Sequence, residues 1–262
     1  MEPQVQLSLD ILQRCPLHRG IQASHIRRNE RRMPLWYIIY IPALPSLPAP
    51  TNKFPELIPK EHWEVPSWIN DDLFQESAKL LAENDIQYGD QVSYHQMCRW
   101  NSGLFYKHPA LANTRYYWRV EPKVHFFCDV DYDVFAYMQD NNKTYGFTIN
   151  LYDAPQSIPS LWPETVKFLA EHPEYIHGNN AMDWLKDSSR RPEHNRLANG
   201  YSTCHFWSNF EIADMEFWRS QAYEDYFNHL DRAGGFFYER WGDAPVHSVA
   251  IGLFEDSSKV HW

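Results

Sequence analysis

RYYWRVEP, from Arg115 to Pro122, alternates its side chains as a buried strand does and ends on a carboxylate, Glu121, followed by proline. Proline has no N–H for a ladder and closes the strand there. In open α/β sheets ligands bind at strand ends, so Glu121 is a placed acid. Outward from this stretch, Val124 to Cys128 is a second short run. It opens into Asp129-Val130-Asp131-Tyr132-Asp133, whose acids are set to cap a helix through Phe135 to Gln139. Thr144 to Leu151 (TYGFTINL) reads as a third strand. A helix is predicted from a cap at Asn70 or Asp71 through LFQESAKLLAEN, with Leu73, Leu80 and Leu81 on one face. Further helices are predicted over Tyr94 to Tyr106, Glu164 to Glu171 and Met215 to Leu230. Strands alternating with helices predict an α/β layer fold.

A chain of 262 residues holds one large domain or two small ones. Its net charge of -10 argues against a nucleic-acid binder, which phosphate would repel. Residues 1–53 read differently from the rest: an arginine cluster, Arg27 to Arg32, precedes IPALPSLPAP, whose prolines forbid a helix. We expect a divergent, disordered leader over 1–53 and a compact domain over 54–262. Neither a signal peptide nor a membrane span is legible. The apolar run Pro34 to Leu44 reaches about half of the ~20 residues that a bilayer demands. Cys15, Cys98, Cys128 and Cys204 show no CxxC spacing, leaving both disulfides and buried thiols open. Asn142-Lys143-Thr144 is an N-glycosylation acceptor triplet.

The richest chemistry is in YSTCHFWSNFEIADMEFWRS (201–220) and GGFFYERWGDAPVH (234–247), where aromatics alternate with acids. Phe, Trp and Tyr make up 16% of the chain, which suits either stacking against sugar rings beside carboxylates that bind hydroxyls or a metal, or an aromatic-rich core with solvated acids. Glu211 lies among Phe206, Trp207 and Phe210. It reads either as a desolvated carboxylate facing a developing positive charge or as a surface acid on a helix's first turn. Asp243 follows Gly242 in a turn, and His247 reads more readily as structural than as a ligand. Asp129 and Asp131 could bind Mn²⁺ or Mg²⁺, or simply cap the following helix.

LIPKEHW (57–63), YHQMCRWNSGLFYKHP (94–109), YYWRVEP (116–122), FFCDVDYDVF (126–135), YGFTINLYD (145–153), TCHFWSNFEI (203–212) and GGFFYERWGDAPVHS (234–248) together resemble the fungal α-1,2-mannosyltransferases of glycosyltransferase family 15. The resemblance implies a nucleotide-sugar transferase A-type fold, with a mixed sheet flanked by helices. It implies a retaining transfer of mannose from GDP-mannose to mannosyl acceptors of N- and O-linked glycans, with Mn²⁺, in a Golgi lumenal type II membrane protein. By the same resemblance Glu211 is the catalytic carboxylate, Glu121 the acid of the donor and metal region, Tyr94 an active-site tyrosine and Asp243 the aspartate of the WGDAP motif. Asp129 and Asp131 then become secondary.

Three departures accompany the match. Lys123 stands where the family has an aspartate, the family's metal-binding histidine has no counterpart before the last residue, Trp262, and the family's first strands have none in 1–53. The expectation is therefore a partial catalytic domain, incomplete in its N-terminal strands and C-terminus. An inactive sugar- or partner-binding remnant is the alternative. A glycoside hydrolase using Glu211 and Asp243 as a carboxylate pair is a third reading.

Overall fold

The computed structural model describes residues 34–35, 56–121, 126–127 and 129–262. The expectations for 1–53 other than Pro34–Leu35, for Lys123, for most of the run Val124 to Cys128, and for Cys15 and Cys128 lie outside the described residues.

Eight strands are described: β1 (Pro34–Leu35), β2 (Glu56–Leu57), β3 (Tyr116–Val120), β4 (Tyr145–Phe147), β5 (Asn150–Tyr152), β6 (Cys204–Phe206), β7 (Phe210–Asp214) and β8 (Val260–His261). The main sheet has the order β3-β7-β4-β8. It is antiparallel except where β8 runs parallel to β4, so it is mixed as expected. β5 pairs with β6 and β1 with β2, both antiparallel. The predicted strand Thr144 to Leu151 is in fact two, β4 and β5, which belong to different sheets.

Register and the two-residue period of a strand sort the side chains into two faces. Arg119 lies opposite Glu211 and Tyr117 opposite Ala213, while Phe147 and Tyr145 meet the same two residues from the other side. That face is rich in polar groups. The opposite face carries Tyr116, Trp118 and Ile212, and the helix Val134–Asp140 covers it with Phe135 and Met138. As predicted, acids precede that helix, and Asp133 is the one that caps it, accepting from the N–H of Phe135 and of Ala136.

The polar face is roofed by helices. Asp243–Phe254 is buried at nearly every position and runs through the interior. Val92–Gly103 and Gln221–Ala233 pack beside it and are tied by a bidentate ion pair, Arg99 to Asp231, at 2.7 and 2.9 Å. The predicted helix Tyr94 to Tyr106 begins earlier, at Val92, and gives way after Gly103 to a 3₁₀ turn over Phe105–Lys107. The predicted helix Met215 to Leu230 is broken. Met215–Trp218, capped by Asp214, stops at Arg219, and Ser220 caps a new helix from Gln221. In the helix Asp71–Glu83, capped by Asn70, the buried stripe is Phe74, Ala78 and Leu81. Leu73 and Leu80 are 46% and 59% exposed. The ring of Phe74 sets the helix rotation, meeting Phe237 and His95 edge-on at 5.4 and 5.3 Å.

Gly103 leaves room for a ring of the facing helix: a β-carbon there would stand 2.1 Å from the ring of Phe227. Gly103→Ala is expected to cost about 1–3 kcal/mol through overpacking. Urea unfolding should show a lower midpoint at unchanged slope, and an unchanged midpoint would contradict this packing.

Candidate active site

Glu211 is the second residue of β7 and is 1% exposed. Its Oε1 accepts from the Tyr117 hydroxyl at 2.7 Å, and its Oε2 from the Tyr145 hydroxyl at 2.7 Å. His247 Nδ1 approaches Oε2 to 3.1 Å, and His247 Nε2 lies 3.0 Å from the carbonyl oxygen of Asn101. Donors therefore converge on one carboxylate from β3, β4 and the helix Asp243–Phe254. Burial, and next the charge of Glu211, pushes the Tyr145 hydroxyl well above its ordinary pKa, so that it remains a donor.

Arg119, next to Glu211 in the register, joins this group to a second. Its Nη1 donates to Asp243 Oδ2 at 2.5 Å, and Nε and Nη2 donate to Glu121 Oε1 at 2.8 and 2.5 Å. The Ser208 hydroxyl also donates to Asp243 Oδ2, at 2.7 Å. Burial pushes the Asp243 carboxyl up. The Arg119 guanidinium, aided by His247 and Ser208, outweighs burial and holds it below the usual aspartate value. As the first residue of its helix, Asp243 also sits where the helix dipole favours an anion.

A third group adjoins. Arg240 Nη2 donates to Asp153 Oδ1 at 2.7 Å and to Ser157 Oγ at 3.0 Å. Its guanidinium carbon stands 5.8 Å from the ring of Tyr94, which stacks on Tyr88 at 4.6 Å. Burial, with Cys98 adding to it and Asp243 and Asp153 acting in the same sense, pushes the Tyr94 hydroxyl up.

Of the residues singled out from sequence, Glu121, Glu211, Asp243 and Tyr94 thus come together through Arg119 and Arg240. Asp129 and Asp131 do not join them. They are exposed ahead of the helix that Asp133 caps, and among the described residues no group of three or more His, Cys, Asp or Glu is placed to hold a metal. Asn142 is exposed in a left-handed turn (φ 50°) and its Thr144 is buried. Cys98 and Cys204 are buried free thiols.

Of the two readings of Glu211, the desolvated carboxylate fits and the surface acid on a helix turn does not: it is a buried strand residue, and its neighbours are tyrosines and a histidine. Phe210 points to the other face, edge-on to Trp118 at 5.2 Å and Phe126 at 5.3 Å, because adjacent strand residues face oppositely. Asp243 follows Gly242 as the first residue of a helix. Sequence reading passed over Arg119, Tyr117, Tyr145, Ser208 and Arg240, and read His247 as structural. A signal for His247 was available: it is one helical turn from Asp243 in a largely apolar helix.

Glu121 supplies hard oxygen at a strand end, and its side chain is about a third exposed, at 34%. One carboxylate fits a divalent cation that takes most of its ligands from diphosphate oxygens and water.

A mixed sheet with helices on both faces and a carboxylate cluster on one of them is the architecture of a known class of sugar transferase. The solved structure of core-mannan synthase A (CmsA/Ktr4) from Aspergillus fumigatus, in a Mn/GDP form, superposes with a TM-score of 0.78 at 69% identity, covering 78% of this chain and 55% of that one. The Saccharomyces cerevisiae mannosyltransferase Ktr4p in complex with GDP gives a TM-score of 0.77 at 49% identity, covering 78% and 52%. Among curated relatives, the O-glycoside alpha-1,2-mannosyltransferase omh1 of Schizosaccharomyces pombe is 49% identical over 79% of this chain and 51% of its own length. The alpha-1,2 mannosyltransferase KTR1 of Saccharomyces cerevisiae is 49% identical over 82% and 53%. Residues 50–262 match the family described as glycolipid 2-alpha-mannosyltransferase, and the chain belongs to that family. It spans about half the length of the curated relatives it matches.

The depressed Asp243 carboxyl carries a sign. Its ionised form stabilises the fold above about 3.9, the usual aspartate value, and that contribution is lost as pH falls through the lower folded value. The stability gap between the unaltered chain and Asp243→Asn is expected to be widest near neutrality and to narrow as acid protonates Asp243. Urea midpoints from pH 7 to pH 2 measure it; a gap constant with pH would contradict the assignment.

Proposed function

We propose that residues 54–262 are a partial catalytic domain of a retaining α-1,2-mannosyltransferase, moving mannose from GDP-mannose to mannose residues of N- or O-linked glycans. The observation that carries this is the gathering of Glu211, Asp243 and Glu121 at one face of the sheet, with Arg119 binding two of them together. The names of the relatives, α-1,2-mannosyltransferases and GDP-bound structures, support the donor and the linkage. Their fungal origin supports a place in Golgi glycan extension, as a lumenal enzyme of type II membrane topology. Among the described residues no helix is long and apolar enough to cross a membrane.

Retention needs a carboxylate beneath the sugar. As GDP departs, the anomeric carbon gains positive charge, and Glu211 serves either as the nucleophile or as the anion of an ion pair. Both routes need Glu211 ionised, and in a dry setting its charge acts more strongly than in water. Asp243, oriented by Arg119 and Ser208, receives the acceptor hydroxyl. Tyr94, next to Arg240, contributes its hydroxyl at the rim. Glu121 would hold Mn²⁺ with the diphosphate, and the ion when bound offsets the charge of the leaving group.

Calorimetric titration with GDP-mannose is expected to show Mn²⁺-dependent binding, retained in Glu211→Gln, while mannosyl transfer by that variant falls at least ~100-fold, as for loss of one charge-stabilising group. Undiminished transfer by Glu211→Gln would overturn the assignment of Glu211. Absence of donor binding by the folded chain would favour the inactive remnant.

A further inference from the structure

The hydrogen-bond partners of His247 determine where its protons are. Nε2 faces the carbonyl oxygen of Asn101 at 3.0 Å, and a carbonyl oxygen only accepts, so Nε2 carries a hydrogen. Nδ1 faces Glu211 Oε2 at 3.1 Å, and the two side chains are each 1% exposed, so no water competes for either. The geometry points to a doubly protonated imidazolium at His247, acting as the buried counter-ion that keeps Glu211 ionised and in one orientation.

The two phenols decide between this state and a neutral pair. Tyr117 and Tyr145 both donate to Glu211, one to each oxygen. An ionised carboxylate offers about four lone-pair sites and takes all three donors without conflict. A neutral carboxyl donating to Nδ1 would leave its Oε2 hydroxyl, a weaker acceptor than a carboxylate oxygen, to take the Tyr145 donor. Three charge-assisted bonds also outweigh neutral ones. An isolated carboxylate in so dry a place would take up a proton instead. Among the groups around the imidazole, Asp243, one turn back on its own helix, adds a second negative charge, which Arg119 from β3 offsets in part by its bond to Asp243. Tyr223, from the helix Gln221–Ala233, has its ring 6.3 Å away and its hydroxyl on the Ser102 carbonyl. Phe105 and Trp218 close the remaining sides at 6.2 and 4.2 Å.

His247 is thus a positioning residue. It touches no substrate and acts through Glu211, which rests on the reading of Glu211 given above. The protonation state itself does not depend on that reading.

Nitrogen-15 NMR of the histidine-labelled full chain tests it, with His247 assigned by the resonances missing in His247→Gln. At pH 7.5 both ring nitrogens are expected at imidazolium shifts. In Glu211→Gln, without the counter-charge, one nitrogen should move to the unprotonated shift. A neutral ring in the unaltered chain, or an imidazolium that survives in Glu211→Gln, would overturn the proposal. In the transfer assay His247→Gln should lower kcat about tenfold or more with KM for GDP-mannose within about twofold, because only the reacting carboxylate is disturbed. A rise in KM at constant kcat would overturn the positioning role. A chain that transfers no mannose would count against the mannosyltransferase reading, while the NMR result would still decide the protonation state.

Discussion

A carboxylate placed at the centre of a sheet and closed off from water is the constraint on which this structure turns. Removing such an ion from solvent costs several kcal/mol even after the protein relaxes. Glu211 offsets that cost with donors from three elements that are far apart in sequence: Tyr117 on β3, Tyr145 on β4 and His247 on the helix Asp243–Phe254. Asn101, on yet another helix, fixes the ring of His247. Strand pairing and helix docking are therefore specified together. A one-residue slip of β7 would turn Glu211 toward Phe135 and Met138, where nothing polar receives it, so the charge penalises every register but one.

Arg119 extends the constraint to the rim. It lies beside Glu211 in the sheet and donates to both Asp243 and Glu121, so one guanidinium links the buried end of the site to its exposed end. The planar fork reaches two carboxylates in fixed directions, which a lysine could not do. This gives the cluster a preset geometry before any ligand arrives, and preset dipoles need no reorganisation as charge develops.

How much of this was legible depended on the kind of interaction. β3 was readable because alternation and a terminal proline are local signals, and the family motifs carried Glu121, Glu211, Asp243 and Tyr94. The helix from Asp71 was readable as a helix but its facing was not. Leu73 and Leu80 are as apolar as Phe74, and only the tertiary contacts with Phe237 and His95 set the rotation. The break at Ser220 was hidden because Met215 to Leu230 is a good helical run throughout, and the two competing caps, Asp214 and Ser220, act through single hydrogen bonds. The partners of Glu211 come from positions 117, 145 and 247, and no short-range pattern announces contacts 94, 66 and 36 residues apart.

The aromatic excess takes on a second meaning in this light. Trp100, Trp218 and Trp241 and the tyrosines at 106, 117, 145, 201, 223 and 226 are among the largest fully buried side chains. Trp218 lies 4.2 Å from the His247 ring, and Phe105 lies 5.0 Å from Tyr117. Aliphatic residues could fill the same volume, but they could not also hand a hydroxyl to the carboxylate they enclose. Tyrosine provides apolar wall and donor in one side chain. A chain that buries an ion among packed helices is therefore driven toward aromatics by its own interior, before any sugar ring is considered.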